Sequence, residues 1–154
     1  MSIEIERKFL VDQAPADGER GPGQYFRQGY LAEDGDVAVR IRITPTAAIL
    51  TVKAGTGLAR TEVETTLTDQ QGEELWAHTA GRQLTKVRHR IAVDGGVAEL
   101  DVYEGDLSGL FTVEVEFDSE VAANAFELPK WFGREVTGDG RWTNASLARH
   151  GRPE

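Results

Sequence analysis

The chain of 154 residues contains no cysteine. Disulfides and thiolate metal sites therefore cannot hold the fold, and nothing points to an oxidising compartment. Histidine is almost as scarce: His78, His89 and His150 are scattered without the spacing of a zinc site, so any metal would be held by oxygen ligands. Basic charge is in deficit. With 17 Lys and Arg against 26 Asp and Glu, and a formal net charge of -9, the chain lacks the uncompensated positive surface of a nucleic-acid or anionic-membrane binder. No apolar run approaches the roughly 20 residues that cross a bilayer, and the first residues are acidic where a secretion signal would be basic; a soluble cytoplasmic protein is expected. Internal repeats and low-complexity tracts are missing too. A hydrophobic content of 40% at this length supports one substantial core, so a single domain over 1–154 is expected.

What is present is alternation. Residues 3–11 place Glu4, Glu6 and Lys8 on one face of a strand and Ile3, Ile5, Phe9 and Val11 on the other. Segment 12–23, rich in Pro, Gly, Asp and Ala, reads as a loop of low order. Further strands are expected at 25–31, 37–43, 48–53, 60–67, 84–93, 97–103 and 111–117, separated by turn clusters such as Glu33-Asp34-Gly35-Asp36 and Asp94-Gly95-Gly96. Thr68 with Gln71 fits a capping box opening a helix to about 79, and shorter helices are expected at 118–126 and 144–150. Eight strands and few helices predict a mainly β (α+β) chain whose antiparallel sheet either splits into a sandwich or closes into a barrel.

In each strand one parity carries ionic groups and the other is mostly apolar. The ionic face holds eight acids (Glu4, Glu6, Glu62, Glu64, Glu99, Asp101, Glu114 and Glu116) and eight bases (Lys8, Arg40, Arg42, Lys53, Arg60, Lys86, Arg88 and Arg90). This ladder is neutral, so the remaining 18 of 26 acids and 9 of 17 bases carry the whole net charge of -9. Two populations of charge fit a shared polar interior beneath an acidic exterior. The same periodicity also fits one sheet with a solvated outer face, where mixed charges pair across strands for a few tenths of a kcal/mol each.

Burying so many ions for stability alone would be a poor solution, since each desolvation costs several kcal/mol; a ligand should complete the balance. Same-face acid pairs stand roughly 7 Å apart along a strand, and converging carboxylates suit hard cations such as Mg²⁺ or Mn²⁺. The bases have the charge, and the arginines the fork geometry, to grip several phosphate groups. Metal plus phosphate chain is the natural ligand for such a set.

Residues Glu4-Ile5-Glu6-Arg7-Lys8 resemble the N-terminal ExExK signature of the CYTH superfamily, the triphosphate tunnel metalloenzymes. The similarity continues in order through Gln28-Gly29-Tyr30-Leu31, Val39-Arg40-Ile41-Arg42, Leu50-Thr51-Val52-Lys53, Arg60-Thr61-Glu62-Val63-Glu64, Lys86-Val87-Arg88-His89-Arg90, Glu99-Leu100-Asp101-Val102 and Val113-Glu114-Val115-Glu116, ending at Glu135-Val136-Thr137-Gly138-Asp139 and Arg141-Trp142-Thr143-Asn144. The resemblance implies a closed eight-stranded antiparallel β-barrel with a few peripheral helices, and metal-dependent hydrolysis of a terminal phosphoryl group. It implies Glu4, Glu6, Glu64, Asp101, Glu114 and Glu116 as ligands of Mg²⁺ or Mn²⁺, and Lys8, Arg40, Arg42, Lys53, Lys86 and Arg88 as the polyphosphate grip. Glu4, Glu6, Lys8 and Lys86 form the expected catalytic set. Glu62 fits either the metal or a tunnel arginine, while Arg60 and Arg90 fit ion pairs shaping the wall. Tyr30 aligns with a family tyrosine that could meet a tunnel lysine, and Trp142 departs from a tyrosine often found near one tunnel mouth. His89 has the apolar parity and reads as structural.

Inorganic tripolyphosphate is the expected substrate, because the chain is near the minimal size and carries no appended module. Class IV adenylate cyclase, thiamine triphosphatase and a non-catalytic polyphosphate or nucleotide sensor use the same features. A small-molecule triphosphate partner, no nucleic acid and no membrane are expected, and exposed strand edges or tunnel walls leave room for a homodimer.

Overall fold

In the computed structural model, which describes residues 2–154, the chain forms β1 (Ile3–Leu10), β2 (Gly23–Asp34), β3 (Val37–Ile43), β4 (Ala48–Ala54), β5 (Ala59–Leu67), α1 (Asp69–Trp76), β6 (Gln83–Val93), β7 (Gly96–Tyr103), β8 (Phe111–Phe117), α2 (Glu120–Ala125) and α3 (Asn144–His150). The strands close in the order β1-β5-β4-β3-β2-β6-β7-β8, every neighbouring pair antiparallel. Closure leaves no sheet edge, which removes both the sandwich and the open sheet as alternatives. Among the described residues no helix is long and apolar enough to cross a membrane.

Local chemistry sets the element bounds. Thr68 accepts from the Gln71 N–H while the Gln71 side chain accepts from the Thr68 N–H, the reciprocal cap that starts α1. The helix stops at Trp76 rather than 79 because the chain tightens into i→i+3 bonds, His78 N–H to Leu75 O at 3.0 Å and Thr79 N–H to Trp76 O at 3.1 Å, and the Thr79 hydroxyl also donates to Trp76 O at 2.7 Å. Ser119 caps the Ala122 N–H, so α2 begins at Glu120 instead of 118. Strand β2 runs past the expected end at Leu31. A bulge between Tyr30 and Ala32 adds a residue, and the strand continues to Asp34 with its parity reversed. Segment 12–22 is less irregular than its composition suggests. It makes a 3-10 turn at Asp17–Glu19, and Arg20 pins it by donating to Pro15 O (2.7 Å) and lying 5.5 Å over the Phe111 ring.

The apolar parity faces outward and is covered from outside over part of its surface, while Ile3, Val37, Val63 and Val97 stay exposed. Phe9, Leu100, Val113 and Val115 are fully buried beneath α2 and the segment carrying Phe126, Trp131 and Phe132, with the Phe9 and Phe132 ring centroids 5.0 Å apart. Helix α1 lies so close to β4 that a Cβ on Gly72 would come within 2.6 Å of Ala48 Cβ; a glycine inside a helix is the cost of that approach. A second apolar group closes one end of the barrel: Leu84 and Tyr103, both of inward parity, pack with Leu107, Leu110, Val136, Trp142 and Leu147 of α3.

Candidate active site

Residues directly opposite in neighbouring strands share a face. The registers pair Glu4 with Arg60, Lys53 with Glu62, Thr51 with both Arg40 and Glu64, Arg88 with Asp101, Arg90 with Glu99, Glu99 with Glu114, Glu114 with Lys8 and Glu6 with Glu116. With Arg42 opposite Gln28 and Lys86 opposite Tyr103, all sixteen ionic positions of the ladder have the inner parity.

Inside, they separate into two groups. The first is an acidic focus built from β1, β5 and β8. Lys53 Nζ lies 3.3 Å from Glu4, 3.3 Å from Glu62 and 3.8 Å from Glu6. Arg60 donates to Glu6 at 2.7 Å, while Lys8 sits 3.8 Å from Glu114 and donates to the Trp142 carbonyl at 2.8 Å. Glu4, Glu6, Glu62 and Glu114 are close enough to share hydrogen bonds, and Glu116 feels Glu6 and Glu62 across the interior. Glu62 belongs to this focus. Among the described residues no three of these acids already close to metal-ligand geometry, because Lys53 and Arg60 stand between them.

The second group is centred on Asp101. Lys86 reaches it at 2.6 Å, and Arg88 clamps both of its oxygens at 2.7 and 2.8 Å. Lys86 and Asp101 are completely buried. Asp101, expected as a metal ligand, has both oxygens engaged by Lys86 and Arg88. Glu64, expected as a metal ligand as well, accepts from Thr51 at 3.2 Å. Phe26, which the sequence reading passed over, lies inside with Arg42 at 4.5 Å, Arg88 at 5.3 Å and Lys86 at 5.9 Å from its ring centre. An aromatic face spaces like charges and attracts each of them. Its signal in the sequence was its parity with Gln28 and Tyr30. The Tyr30 hydroxyl meets Gln28 Nε2 at 3.4 Å rather than a lysine.

A cavity of about 300 Å³ opens among the β2-β3 turn, the β4-β5 turn and segment 136–146. Lys8, Arg40, Lys53 and Arg60 line it beside Glu6 and Glu114, with Tyr30 on the wall and Glu33, Asp36 and Asp139 also lining it. The bulge in β2 turns Glu33 to the inner parity, opposite Ala38. Arg42, Lys86 and Arg88 are not among the residues that line this cavity. Arg90 is two-thirds exposed and pairs with Glu99 at 2.7 Å, so it shapes the opposite end of the barrel. Trp142 is buried, and its backbone carbonyl holds Lys8. His89 meets Gly21 O at 3.0 Å on the outside, a structural tie.

The electrostatics follow from crowding. Glu4 is pushed up to about 9, by burial first and then by hydrogen bonds shared with Glu62 and Glu6. Burial would raise Glu6 as well, but Lys53, hydrogen bonds with Glu4 and Glu114, and Arg60 outweigh it and hold Glu6 below the carboxylate range. Glu62 is lowered to about 2 against burial by its hydrogen bond with Glu4 and the charges of Lys53 and Arg40. One proton is thus retained among the acids at neutral pH, and a divalent cation is the species that would replace it. Three buried side-chain polar atoms have no hydrogen-bond partner among the described residues: Glu62 Oε2, Arg40 Nε and Trp142 Nε1. A lone acceptor in the acidic focus and a lone donor on a cavity-lining base fit a hard cation and an anion respectively.

The retained proton has a measurable sign. Glu4 binds it more tightly folded than unfolded, so the associated stability is complete below its ordinary value of 4.5 and is lost as pH rises toward about 9. In excess chelator, the melting temperature is expected to fall between about pH 6 and pH 9, and Glu4→Gln should flatten that fall. A wild-type melting temperature that climbs over this interval would contradict the shared proton.

Comparison with known proteins agrees with this geometry. The family model of the CYTH domain matches residues 2–139. The chain is 48% identical over 147 residues to an inorganic triphosphatase of Nitrosomonas europaea, covering 94% of this chain and 96% of that protein. It is 35% identical over 152 residues to an inorganic triphosphatase of Acetivibrio thermocellus, covering 97% and 96%. The crystal structure of an inorganic triphosphatase superposes with a TM-score of 0.71 at 44% identity, covering 97% of this chain and 100% of that one.

Proposed function

The chain belongs to the CYTH domain family, and from that premise we propose that it hydrolyses the terminal phosphoryl group of a triphosphate, inorganic tripolyphosphate being its substrate. The observation that carries this reading is the two-signed cavity. Four bases (Lys8, Arg40, Lys53 and Arg60) and five acids (Glu6, Glu33, Asp36, Glu114 and Asp139) line about 300 Å³ of space, the lower end of the range for small-molecule sites. That volume suits a compact linear polyanion held among these bases.

Glu4, Glu6, Glu62, Glu114 and Glu116 would hold Mg²⁺ or Mn²⁺, Glu62 taking the place given to Asp101 and Glu64. Bound there, a divalent ion supplies neutralisation of phosphate oxygens and acidification of a water. Lys8, Arg40, Lys53 and Arg60 grip the phosphate chain and stabilise negative charge as the transferred group departs. Arg60 enters this set because it lines the cavity as well as pairing with Glu6. Lys86 and Arg88 support this set: locked on Asp101, they fix the positive potential of the inner wall without lining the cavity.

The test is to give purified protein tripolyphosphate, ATP and thiamine triphosphate side by side with Mg²⁺ or Mn²⁺ and to resolve the products. Phosphate and pyrophosphate from tripolyphosphate are expected, with turnover lost in excess chelator. Equal turnover in chelator would sink the metal requirement, and a cyclic nucleotide from ATP would sink the hydrolase reading.

A further inference from the structure

The most unusual contact in the tunnel is the position of Lys53. Its ammonium, delivered from β4, stands at the meeting point of carboxylates from β1 and β5, with oxygens of Glu4 and Glu62 at 3.3 Å and of Glu6 at 3.8 Å. Only the contact with Glu4 has hydrogen-bond geometry. Glu62 Oε2, 3.3 Å from the same nitrogen, keeps no hydrogen bond. The lysine thus supplies charge to the focus without satisfying its acceptors. Lys53 also lines the cavity beside Arg40, and its long stem lets a compact, rotatable charge reach either place.

We propose that Lys53 is a tethered counter-ion: in the metal-free protein its ammonium takes the position among Glu4, Glu6 and Glu62 that a divalent cation takes when bound, and metal loading releases it to the phosphate chain. This rests on the metal-dependent reading above and adds to it an order of events set by charge. While the carboxylates hold Lys53, its charge is spent on them and withheld from an anion in the cavity. An oxygen-liganded divalent ion sits at 2.0–2.6 Å from its ligands, closer than the ammonium and with twice its charge, so the two compete for one focus. By linkage, whatever frees Lys53 strengthens the grip on the anion, and an anion that draws Lys53 away strengthens the hold on the cation by the same factor. Lys53 is in this respect a positioning residue for the cation as well as a ligand of the anion.

The experiment titrates Mn²⁺ alone, without any phosphate, into wild type, Lys53→Met and Lys53→Gln, following free Mn²⁺ by electron paramagnetic resonance. Circular dichroism verifies that each variant is folded. Removing the competing charge should tighten Mn²⁺ binding about tenfold or more, and in chelator the uncharged variants should melt below wild type and recover when Mn²⁺ is added. Lys53→Arg, which keeps a positive charge, should bind Mn²⁺ close to the wild-type level. Equal or weaker Mn²⁺ binding by a folded uncharged variant overturns the tethered-ion proposal and leaves the metal reading intact. Failure of wild type and all variants to bind Mn²⁺ overturns the metal reading, and this proposal falls with it.

Discussion

A Glu6→Gln variant is expected to lose tripolyphosphate hydrolysis by roughly 10²-fold or more while remaining folded. Glu6 is the acid of the focus on which two bases, Arg60 and Lys53, converge. It lines the cavity, accepts from Arg60 at 2.7 Å, lies 3.8 Å from Lys53 and stands opposite Glu116 in the barrel. The amide keeps the shape and one oxygen but removes the charge that makes this focus attractive to a hard cation. The loss should appear as weaker Mn²⁺ binding together with lower kcat/KM, and raising the metal concentration should restore part of the rate. A variant with wild-type turnover at limiting metal would remove Glu6 from the cation site. The folded state should tolerate the change, because Arg60 can donate to the amide oxygen and Lys53 retains Glu4 and Glu62.

The largest stability effect is expected at Asp101. It is fully buried, and so is Lys86; the two meet at 2.6 Å while Arg88 holds both carboxylate oxygens. Burial would raise the pKa of Asp101, yet Arg88 and Lys86 overcome it and bring it to about 2. Asp101→Ala strands the completely buried Lys86 and leaves Arg88 only Glu99, at 3.4 Å, as a counter-ion; it should cost roughly 3–5 kcal/mol in urea unfolding. Lys86→Met in the Asp101→Ala background should recover part of that loss, because the stranded charge is then replaced by an apolar chain of similar length that can pack on Phe26 and Tyr103. An Asp101→Ala variant less than about 1 kcal/mol below wild type would show that the triad is hydrated rather than sealed. The two predictions separate the ladder by role: Glu6 should cost activity more than stability, and Asp101 stability at least as much as activity.

The strands, the shared parity of the sixteen ionic positions and the capped start of α1 were legible in the sequence because each depends on local rules. A strand alternates with period two, and Thr68 and Gln71 need only each other. Three details were not legible, and each has a non-local cause. The bulge that turns Glu33 inward adds a residue to β2 without breaking its run of strand-forming residues, so alternation ends at Leu31 although the strand does not. The inner parity assigns Asp101 and Glu62 alike to the tunnel; which of them meets other acids and which meets cations depends on neighbours delivered from other strands. Phe26 was hidden because an aromatic residue is the ordinary occupant of a packed face, and only closure of the barrel surrounds it with Arg42, Arg88 and Lys86.

By itself the sequence determined that this protein has two populations of charge, a neutral two-signed set on one face of its strands and an acidic remainder outside it. That follows from the period of the β-strand and the count of residues, and needs no knowledge of which strand adjoins which. Only the tertiary structure decided that this face is an interior, that Lys53 lies among Glu4, Glu6 and Glu62, and that Asp101 is consumed by Lys86 and Arg88. Coulombic pairing acts across a few ångströms between residues as far apart in sequence as Glu4 and Lys53, so it is fixed by the order in which strands close and not by the pattern along any one of them.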